Sequence, residues 1–423
     1  MVIFTDMTLA EELKARGLIE LSSAEPEQIF SMSRTAYLGI DPTSDSIQIG
    51  NLAVVLLMKR LASTGSKLVF LVGGATGMIG DPKEKGERSL LDMKTVAANT
   101  RALKAQLKRI LGSTSFKMVD NADWLGTMKL LPFLRDVGKH FTVNDLVKRE
   151  IIKKRLETPD ESISYTEFTY ALLQGFDYLT LNEKYGVDLE VGGSDQWTNI
   201  LSGVDLVRKR LGKQVYALGM PLITDASGKK FGKSEGNAVW LDPKKTSPFR
   251  FYQFWMQLPD AGIEKYLKVY TFLPLAEIDA LMALHAENPA ERQAQETLAR
   301  LVTEIAHGPA AAAQAAAATD ALFGDTPFRE LSRDALAVAL AEAPSVRLSK
   351  KELETGVSLA ETLVAGGLAS SKSDARRIIE GKGITLSGQA IEKPDQKIFP
   401  GDLSSGYALV RKGKQGVLIL VLK

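Results

Sequence analysis

The 423-residue chain contains no cysteine, which removes disulfides, thiolate metal sites and cysteine nucleophiles from consideration. Histidine is nearly as scarce, with only His140, His285 and His307. Long apolar runs are also missing. The longest uninterrupted aliphatic stretch, Leu52 to Met58, is far too short to cross a bilayer, so no membrane span is expected. The N-terminal segment carries acids early and lacks a basic stretch leading into an apolar one, so no secretion leader is expected either. These absences fit a cytoplasmic location.

Composition is ordinary for a globular chain, with 45% hydrophobic and 25% charged residues. The net charge of +2 excludes a protein that coats polyanions over its whole surface. The charge is unevenly placed. From Gly366 to Lys423 there are ten Lys and Arg against five Asp and Glu, so this segment carries +5 and the rest of the chain −3. A basic C-terminal module on a near-neutral body points to an anionic partner docking at one end.

Length gives a soft expectation of about three domains. In the first half, short apolar runs (Thr35–Asp41, Lys67–Val72, Phe116–Val119, Asp188–Val191, Tyr216–Thr224) alternate with helical patterns (Asn51–Leu61, Leu91–Leu111, Gln196–Leu211). That alternation predicts a Rossmann-like parallel sheet covered by helices, with ligands beyond the carboxyl ends of the strands. After Asp242, Pro248–Tyr266 and Ala276–His307 read as helices, and the alanine-rich Pro309–Ala318 continues helical. Two short helices, Ser358–Ala365 and Ser371–Glu380, precede a strand-rich end at Ile384–Leu386, Tyr407–Val410 and Val417–Leu422. The expected division is a catalytic domain over 1–225, a lysine-rich loop and α-helical domain over 226–325, a linker over 326–347 and a small α+β domain over 348–423.

Five segments carry chemistry. In Asp41–Leu52 (DPTSDSIQIGNL) a strand runs through a turn into a helix, and Gly50 lets a ligand lie against the helix start. The plainer reading is a turn capped by Asp45 or Ser46. Val72–Pro82 (VGGATGMIGDP) is glycine-rich after a strand, which implies close backbone approach or a loose turn. In Ser164–Tyr178 (SYTEFTYALLQGFDY), Tyr170, Gln174 and Asp177 share one helical face, either as an exposed stripe or as a pocket wall for a small polar ligand. In Val191–Asn199 (VGGSDQWTN), Ser194 or Asp195 suits a helix N-cap, and Asp195 also suits a ribose hydroxyl. Gly228–Asn237 (GKKFGKSEGN) is no phosphate-binding P-loop, because Gly228 and Gly232 are separated by three residues rather than four. It reads as a hinged loop offering Lys230, Lys233 and Ser234 to charge developing on phosphate.

Taken in order, TAYLGIDPTSDS, LVGGATGMIGDP, FLRDVGKHF, YTEFTYALLQGFDY, GGSDQW, KKFGKSEG and KKTSPFRFYQFW resemble the blocks of the bacterial tyrosyl-tRNA synthetases, a class I aminoacyl-tRNA synthetase family, over essentially the whole chain. The resemblance implies ATP-dependent activation of L-tyrosine to tyrosyl-adenylate and transfer of the tyrosyl group to tRNA(Tyr). ATP is then a substrate that carries Mg2+ with it, no metal site belongs to the protein, and the chain forms a homodimer. Tyr37 and Asp177 would bond the phenol, and Asp81, Tyr170 and Gln174 the α-amino group, with Gln196 nearby. Gly39, Asp41, Gly193 and Asp195 would line the adenylate, with Gly50 at the ATP side. Lys230, Lys233 and Ser234 match the second class signature (KMSKS in its usual form), Lys233 also reaching ATP, and Lys85 and Arg88 resemble the pyrophosphate-binding loop. Leu368–Ile398 resembles a small RNA-binding module, placing Lys372, Arg376, Arg377 and Lys382 on RNA, while the helices from about Pro248 would read the anticodon arm.

The departure lies in the first class signature, HIGH in its usual form, where this chain has Gln48-Ile49-Gly50-Asn51. Gln48 and Asn51 can donate hydrogen bonds to phosphate but cannot carry positive charge. Activity is expected to survive, as the tryptophanyl enzymes resemble this pattern. A catalytically weakened or inactive paralogue that binds RNA is the alternative, motivated by the same two residues. A tryptophanyl specificity is disfavoured, because a donor and an acceptor converging at Tyr37 and Asp177 suit a phenol better than an indole.

Overall fold

The structure is a computed structural model and describes residues 7–82, 91–159, 161–225, 228, 231, 238–413 and 416–423. These form two compact units, one from Met1–Thr246 and Pro259–Ala294, the other from Ser247–Leu258 and Gln295–Lys423. The expected 226–325 helical domain is therefore divided between them.

The first unit is built on a six-stranded sheet of β1 (Leu21–Ser22), β2 (Thr35–Ile40), β3 (Lys67–Val72), β4 (Phe116–Asp120), β5 (Leu189–Gly193) and β6 (Tyr216–Met220). Its order is β1-β6-β5-β2-β3-β4, and every pair is parallel except the edge pair β1–β6. β3 reads KLVFLV and is buried over its last five residues, as a strand covered on both faces must be. The helices start and stop where local chemistry dictates. Tyr165–Tyr185 opens with a capping box between Ser164 and Glu167 and closes at Gly186, whose φ of 66° only glycine adopts cheaply.

Two expected caps are not used. Helix Ile49–Ser63 has Gln48 at its N-cap position with no side-chain cap. Its first N–H instead donates to the Val239 carbonyl at 3.2 Å, while Asp45 pairs with Lys245 and Ser46 Oγ accepts from Asp242 N. Ser194 and Asp195 lie in a short 3-10 turn, and helix Trp197–Leu211 begins after Gln196, also without a side-chain cap. The helical stretches after Asp242 are likewise broken. Pro248–Met256 and Ile263–Tyr270 are separated by a turn containing Pro259 and Gly262. Leu275–Glu287 and Gln293–His307 are separated at Pro289, which has no N–H to continue a helix.

In the second unit, Pro248–Met256 packs on Pro309–Phe323 through a core that includes Phe249, Ala318, Ala321 and Leu322. The alanine run is helical, and Ala312, Ala315, Ala318 and Ala321 form its buried face. Residues 326–347, expected to be a linker, contain helix Arg333–Glu342 and the start of β7 (Ser345–Leu348). With β8 (Val357–Ser358), β9 (Ile384–Leu386), β10 (Gln389–Ala390), β11 (Lys397–Ile398), β12 (Tyr407–Lys412) and β13 (Gly416–Leu422), this gives a five-stranded sheet ordered β10-β9-β12-β13-β7 and a separate β8–β11 pair. Helices Leu359–Ala365 and Lys372–Glu380 share a core with this sheet through Leu363, Ile379, Val410 and Leu418. No helix among the described residues is long and apolar enough to cross a membrane.

Candidate active site

The carboxyl ends of β2, β5 and β6, together with the loop after β3, surround a cavity of about 530 Å³. Every site residue expected in the first unit that the structure describes lines it: Tyr37, Gly39, Asp41, Gln48, Gly50, Asn51, Asp81, Tyr170, Gln174, Asp177, Gly193, Asp195 and Gln196. Lys85, Arg88, Lys230, Lys233 and Ser234 lie outside the described residues.

One part of the lining brings Tyr37, Asp177 and Glu190 together. Tyr37 is 1% exposed, and its ring meets Tyr178 edge-on at 5.2 Å. Its hydroxyl makes no hydrogen bond of good geometry although Glu190 faces it. Asp177 accepts from Trp124 Nε1 at 2.7 Å and from Asn121 Nδ2 at 2.9 Å. Burial raises the Asp177 carboxyl to about 7 against the pull of these two donors. Each Asp177 oxygen retains a lone pair, so a donor entering the pocket finds an acceptor there and an acceptor finds the Tyr37 O–H.

Further along the lining, carboxylates gather. Asp41 Oδ2 accepts from the Tyr170 hydroxyl and Oδ1 from Thr76 Oγ1, both at 2.9 Å. Asp81 Oδ2 accepts from Gln196 Nε2 at 2.8 Å, and its Oδ1 from Asn199 Nδ2 at 3.0 Å. Arg149 Nη1 donates to Asn199 Oδ1 at 3.0 Å, which fixes which way that amide points. Asp41 and Asp81 give this part of the lining negative charge, which suits an ammonium group.

The glycines divide into two kinds. At Gly73 an added Cβ would lie 1.9 Å from Asp41 Oδ1, and at Gly74 one would lie 2.2 Å from Asp120 Oδ1. The close approach foreseen for this segment is therefore made to the protein's own acids. At Gly39, by contrast, an added Cβ would meet nothing within 4 Å, so the strand backbone is open to whatever enters. Asn51 is exposed on the first helical turn and Gln48 half-buried, with Gln48 bridged through its backbone to Trp240.

Two family models match the chain. The one described as "tRNA synthetases class I (W and Y)" matches residues 32–324, and "Tyrosine--tRNA ligase SYY-like C-terminal domain" matches residues 335–420. The chain is 44% identical to the tyrosine–tRNA ligase of Roseiflexus castenholzii over 416 residues, covering 96% of this chain and 98% of that one. It is 41% identical to a Neisseria meningitidis tyrosine–tRNA ligase over 440 residues, covering 99% and 100%. This chain belongs to the tyrosyl-tRNA synthetase family. Among solved structures, a C-terminally truncated mitochondrial tyrosyl-tRNA synthetase from Coccidioides posadasii superposes with a TM-score of 0.65 at 30% identity, over 74% of this chain and 91% of that one.

Sequence reasoning missed several residues at this synthetase site: Thr76, Asn121, Trp124, Arg149, Glu190 and Asn199. Two signals were available. Glu190 is an acid inside an otherwise apolar parallel strand, where a charge needs a reason. Asn121 and Trp124 directly follow β4, at the rim where such sheets hold ligands.

In the second unit, three of the four basic residues expected on RNA spend charge on neighbouring acids. Lys372 pairs with Glu361 at 2.5 Å, Arg377 with Asp374 at 2.8 Å and Lys382 with Glu392 at 2.7 Å. Arg376 is exposed on the same helix. The Lys372–Glu361 and Lys382–Glu392 pairs are solvent-exposed and therefore weak.

Proposed function

We infer that this chain activates L-tyrosine with ATP to give tyrosyl-adenylate and pyrophosphate, then transfers the tyrosyl group to tRNA(Tyr). The observation that carries the reading is the pairing of a buried donor, Tyr37, with a buried acceptor, Asp177, in a cavity that continues past Asp41 to the open backbone at Gly39.

Tyrosine enters with its phenol between Tyr37 and Asp177. Its ammonium is held by Asp81, Tyr170 and Gln174, with Gln196 fixing Asp81. ATP lies along Gly39, Gly50, Gly193 and Asp195, bringing its magnesium as part of the substrate. The tyrosine carboxylate is already ionised, so it attacks the α-phosphorus in line without a general base. The bond to the bridging oxygen breaks and pyrophosphate leaves with the electron pair. Catalysis is then positioning and stabilisation of charge on phosphate. Gln48 and Asn51 serve as neutral donors, while Lys230, Lys233 and Ser234, with Lys85 and Arg88, supply the remaining contacts to pyrophosphate. A terminal ribose hydroxyl of the tRNA takes the tyrosyl group and releases AMP.

Lys372, Arg376, Arg377 and Lys382 hold the RNA backbone, and the helices from Pro248 onward meet the anticodon arm. A second copy of the chain covers helix Leu130–Asp136, whose Leu130 and Leu131 are 69% and 77% exposed, a homodimer that sedimentation would reveal. The site as a whole works in the cytoplasm. ATP–pyrophosphate exchange with tyrosine, phenylalanine and tryptophan in parallel tests the central reading. Exchange should depend on tyrosine; exchange no faster than buffer, with tRNA still bound, would leave an RNA-binding paralogue instead.

A further inference from the structure

The pocket holds a titratable group that the reaction does not require. Glu190 lies in the middle of β5, where Tyr37 on β2 is its cross-strand partner. The period of two puts both side chains on one face of the sheet, with Leu189 and Val191 on the other. Glu190 is 2% exposed. Its Oε1 accepts from Gln174 Nε2 at 2.9 Å. Its Oε2 and the Tyr37 hydroxyl are both buried without a hydrogen bond of good geometry, and they face each other. An aliphatic side chain would fill this position at no desolvation cost. A buried carboxyl carries that cost, and packing alone gives no reason for it.

We propose that Glu190 is a positioning residue that sets the hydrogen-bond direction of both Tyr37 and Gln174, and through Tyr37 the preference of the pocket for a phenol over a bare ring. The proposal rests on tyrosine being the substrate. Burial raises the Glu190 carboxyl to about 8, so it is neutral at pH 7 and Oε2 carries a proton. The groups facing it are Tyr37 from β2 and Gln174, Asp177 and Tyr178 from helix Tyr165–Tyr185. No cation is among them to hold the ionised form.

The neutral acid donates from Oε2 to the Tyr37 oxygen. Tyr37 must then aim its own proton away from Glu190, into the cavity, where the phenol oxygen accepts it. The phenol proton in turn goes to Asp177, whose carboxylate is held by Asn121 and Trp124. At the other oxygen, Gln174 has turned its amide nitrogen to Glu190, which leaves Gln174 Oε1 to accept from the substrate ammonium. One carboxyl therefore orients a reader of the side chain and a reader of the amine.

The test uses the full chain with Glu190→Met and Glu190→Gln, and calorimetric affinity for tyrosine and phenylalanine. Glu190→Met should weaken tyrosine about tenfold more than phenylalanine. Glu190→Gln, whose carbonyl accepts from Gln174 and whose amide donates to Tyr37, should recover most of that ratio. An unchanged ratio in Glu190→Met overturns the proposal, and so does Glu190→Gln behaving like Glu190→Met. Should Glu190→Met not fold, the parent and Glu190→Gln are compared from pH 7 to 9.5. Above about pH 8 the parent should lose tyrosine affinity more steeply than Glu190→Gln, which shares only the loss from the substrate's own ammonium; parallel profiles overturn the assignment. Binding reads this proposal, whereas pyrophosphate exchange by the parent reads the function, so the two fail separately.

Discussion

The Tyr170 hydroxyl donates to Asp41 Oδ2 at 2.9 Å, joining helix Tyr165–Tyr185 to the residue that follows β2. The bond holds together two residues expected to serve different ligands, the amino acid and the nucleotide. Tyr170 has spent its proton on Asp41, so its oxygen faces the ammonium as an acceptor only. Tyr170→Phe removes both interactions. A hydrogen bond to a charged group contributes roughly 1.5–3 kcal/mol, so kcat/KM for tyrosine should fall about ten- to hundredfold. Steady-state exchange kinetics measure it, and because Asp41 is released, the KM for ATP should rise as well. An unmoved ATP KM would show that Asp41 serves the amino acid alone.

Tyr37→Phe removes the hydroxyl proposed to meet the substrate phenol. Tyrosine should lose about tenfold in kcat/KM and phenylalanine almost nothing, because only tyrosine loses a partner. The discriminating measurement is the ratio of the two kcat/KM values in the same preparation. Asp177→Asn tests the other side of the phenol. It should be more harmful than Tyr37→Phe, because Asn121 and Trp124 both donate to Asp177 and an amide nitrogen in its place faces one of them donor to donor.

Much of this geometry was legible in the sequence because it follows from periodicity. Tyr170, Gln174 and Asp177 fall on one helical face, and the strand pattern places Asp41 and Gly193 at a common rim. What could not be read were contacts between side chains far apart along the chain. Asp41 with Thr76, Asp81 with Asn199 and Asp177 with Trp124 are pairings that no local pattern encodes. The helix starts illustrate the same limit. Asp45 and Ser46 are good capping residues by type, yet a carbonyl from Val239 reaches helix Ile49–Ser63 first. Charge counting likewise found the basic C-terminal segment but not the acids that partner Lys372, Arg377 and Lys382.

Two buried carboxyls make a contribution to stability that falls as pH rises from about 4 to about 8. Glu190 is raised from its usual 4.5 to about 8, and Asp177 from 3.8 to about 7, both through burial. Between those values the folded protein binds protons that the unfolded chain has released. The contribution of these two groups is therefore fully present below about pH 4 and is lost as pH rises, until both are ionised in the folded state above about pH 8. Glu190→Gln removes the larger contribution. At pH 9 it should be more stable than the parent by on the order of 5 kcal/mol, with little difference at pH 4. Urea unfolding at the two pH values checks the sign. A difference between parent and Glu190→Gln that is no larger at pH 9 than at pH 4 would mean that the carboxyl is held ionised.

Arg149 reaches the site through Asn199. Burial depresses its guanidinium to about 10, against the attraction of Asp81, and it remains charged at neutral pH. Its Nη1 takes the Asn199 carbonyl, so the Asn199 amide can only present N–H to Asp81. Asp81 thus receives neutral donors from Gln196 and Asn199, and Asn199 stands between it and the Arg149 cation. Asn199→Ala deletes one of those donors and leaves Arg149 facing Asp81 without an intermediary. The cation then competes with the tyrosine ammonium. KM for tyrosine should rise about tenfold, while kcat at saturating tyrosine and KM for ATP stay within about twofold. Exchange rates titrated separately in each substrate distinguish this from a general loss of structure, which would depress kcat as well. The double variant Asn199→Ala with Arg149→Met should regain part of the tyrosine affinity, since the competing charge is gone. If it binds tyrosine no better than Asn199→Ala alone, Arg149 acts only as a strut for Asn199 and Ser202.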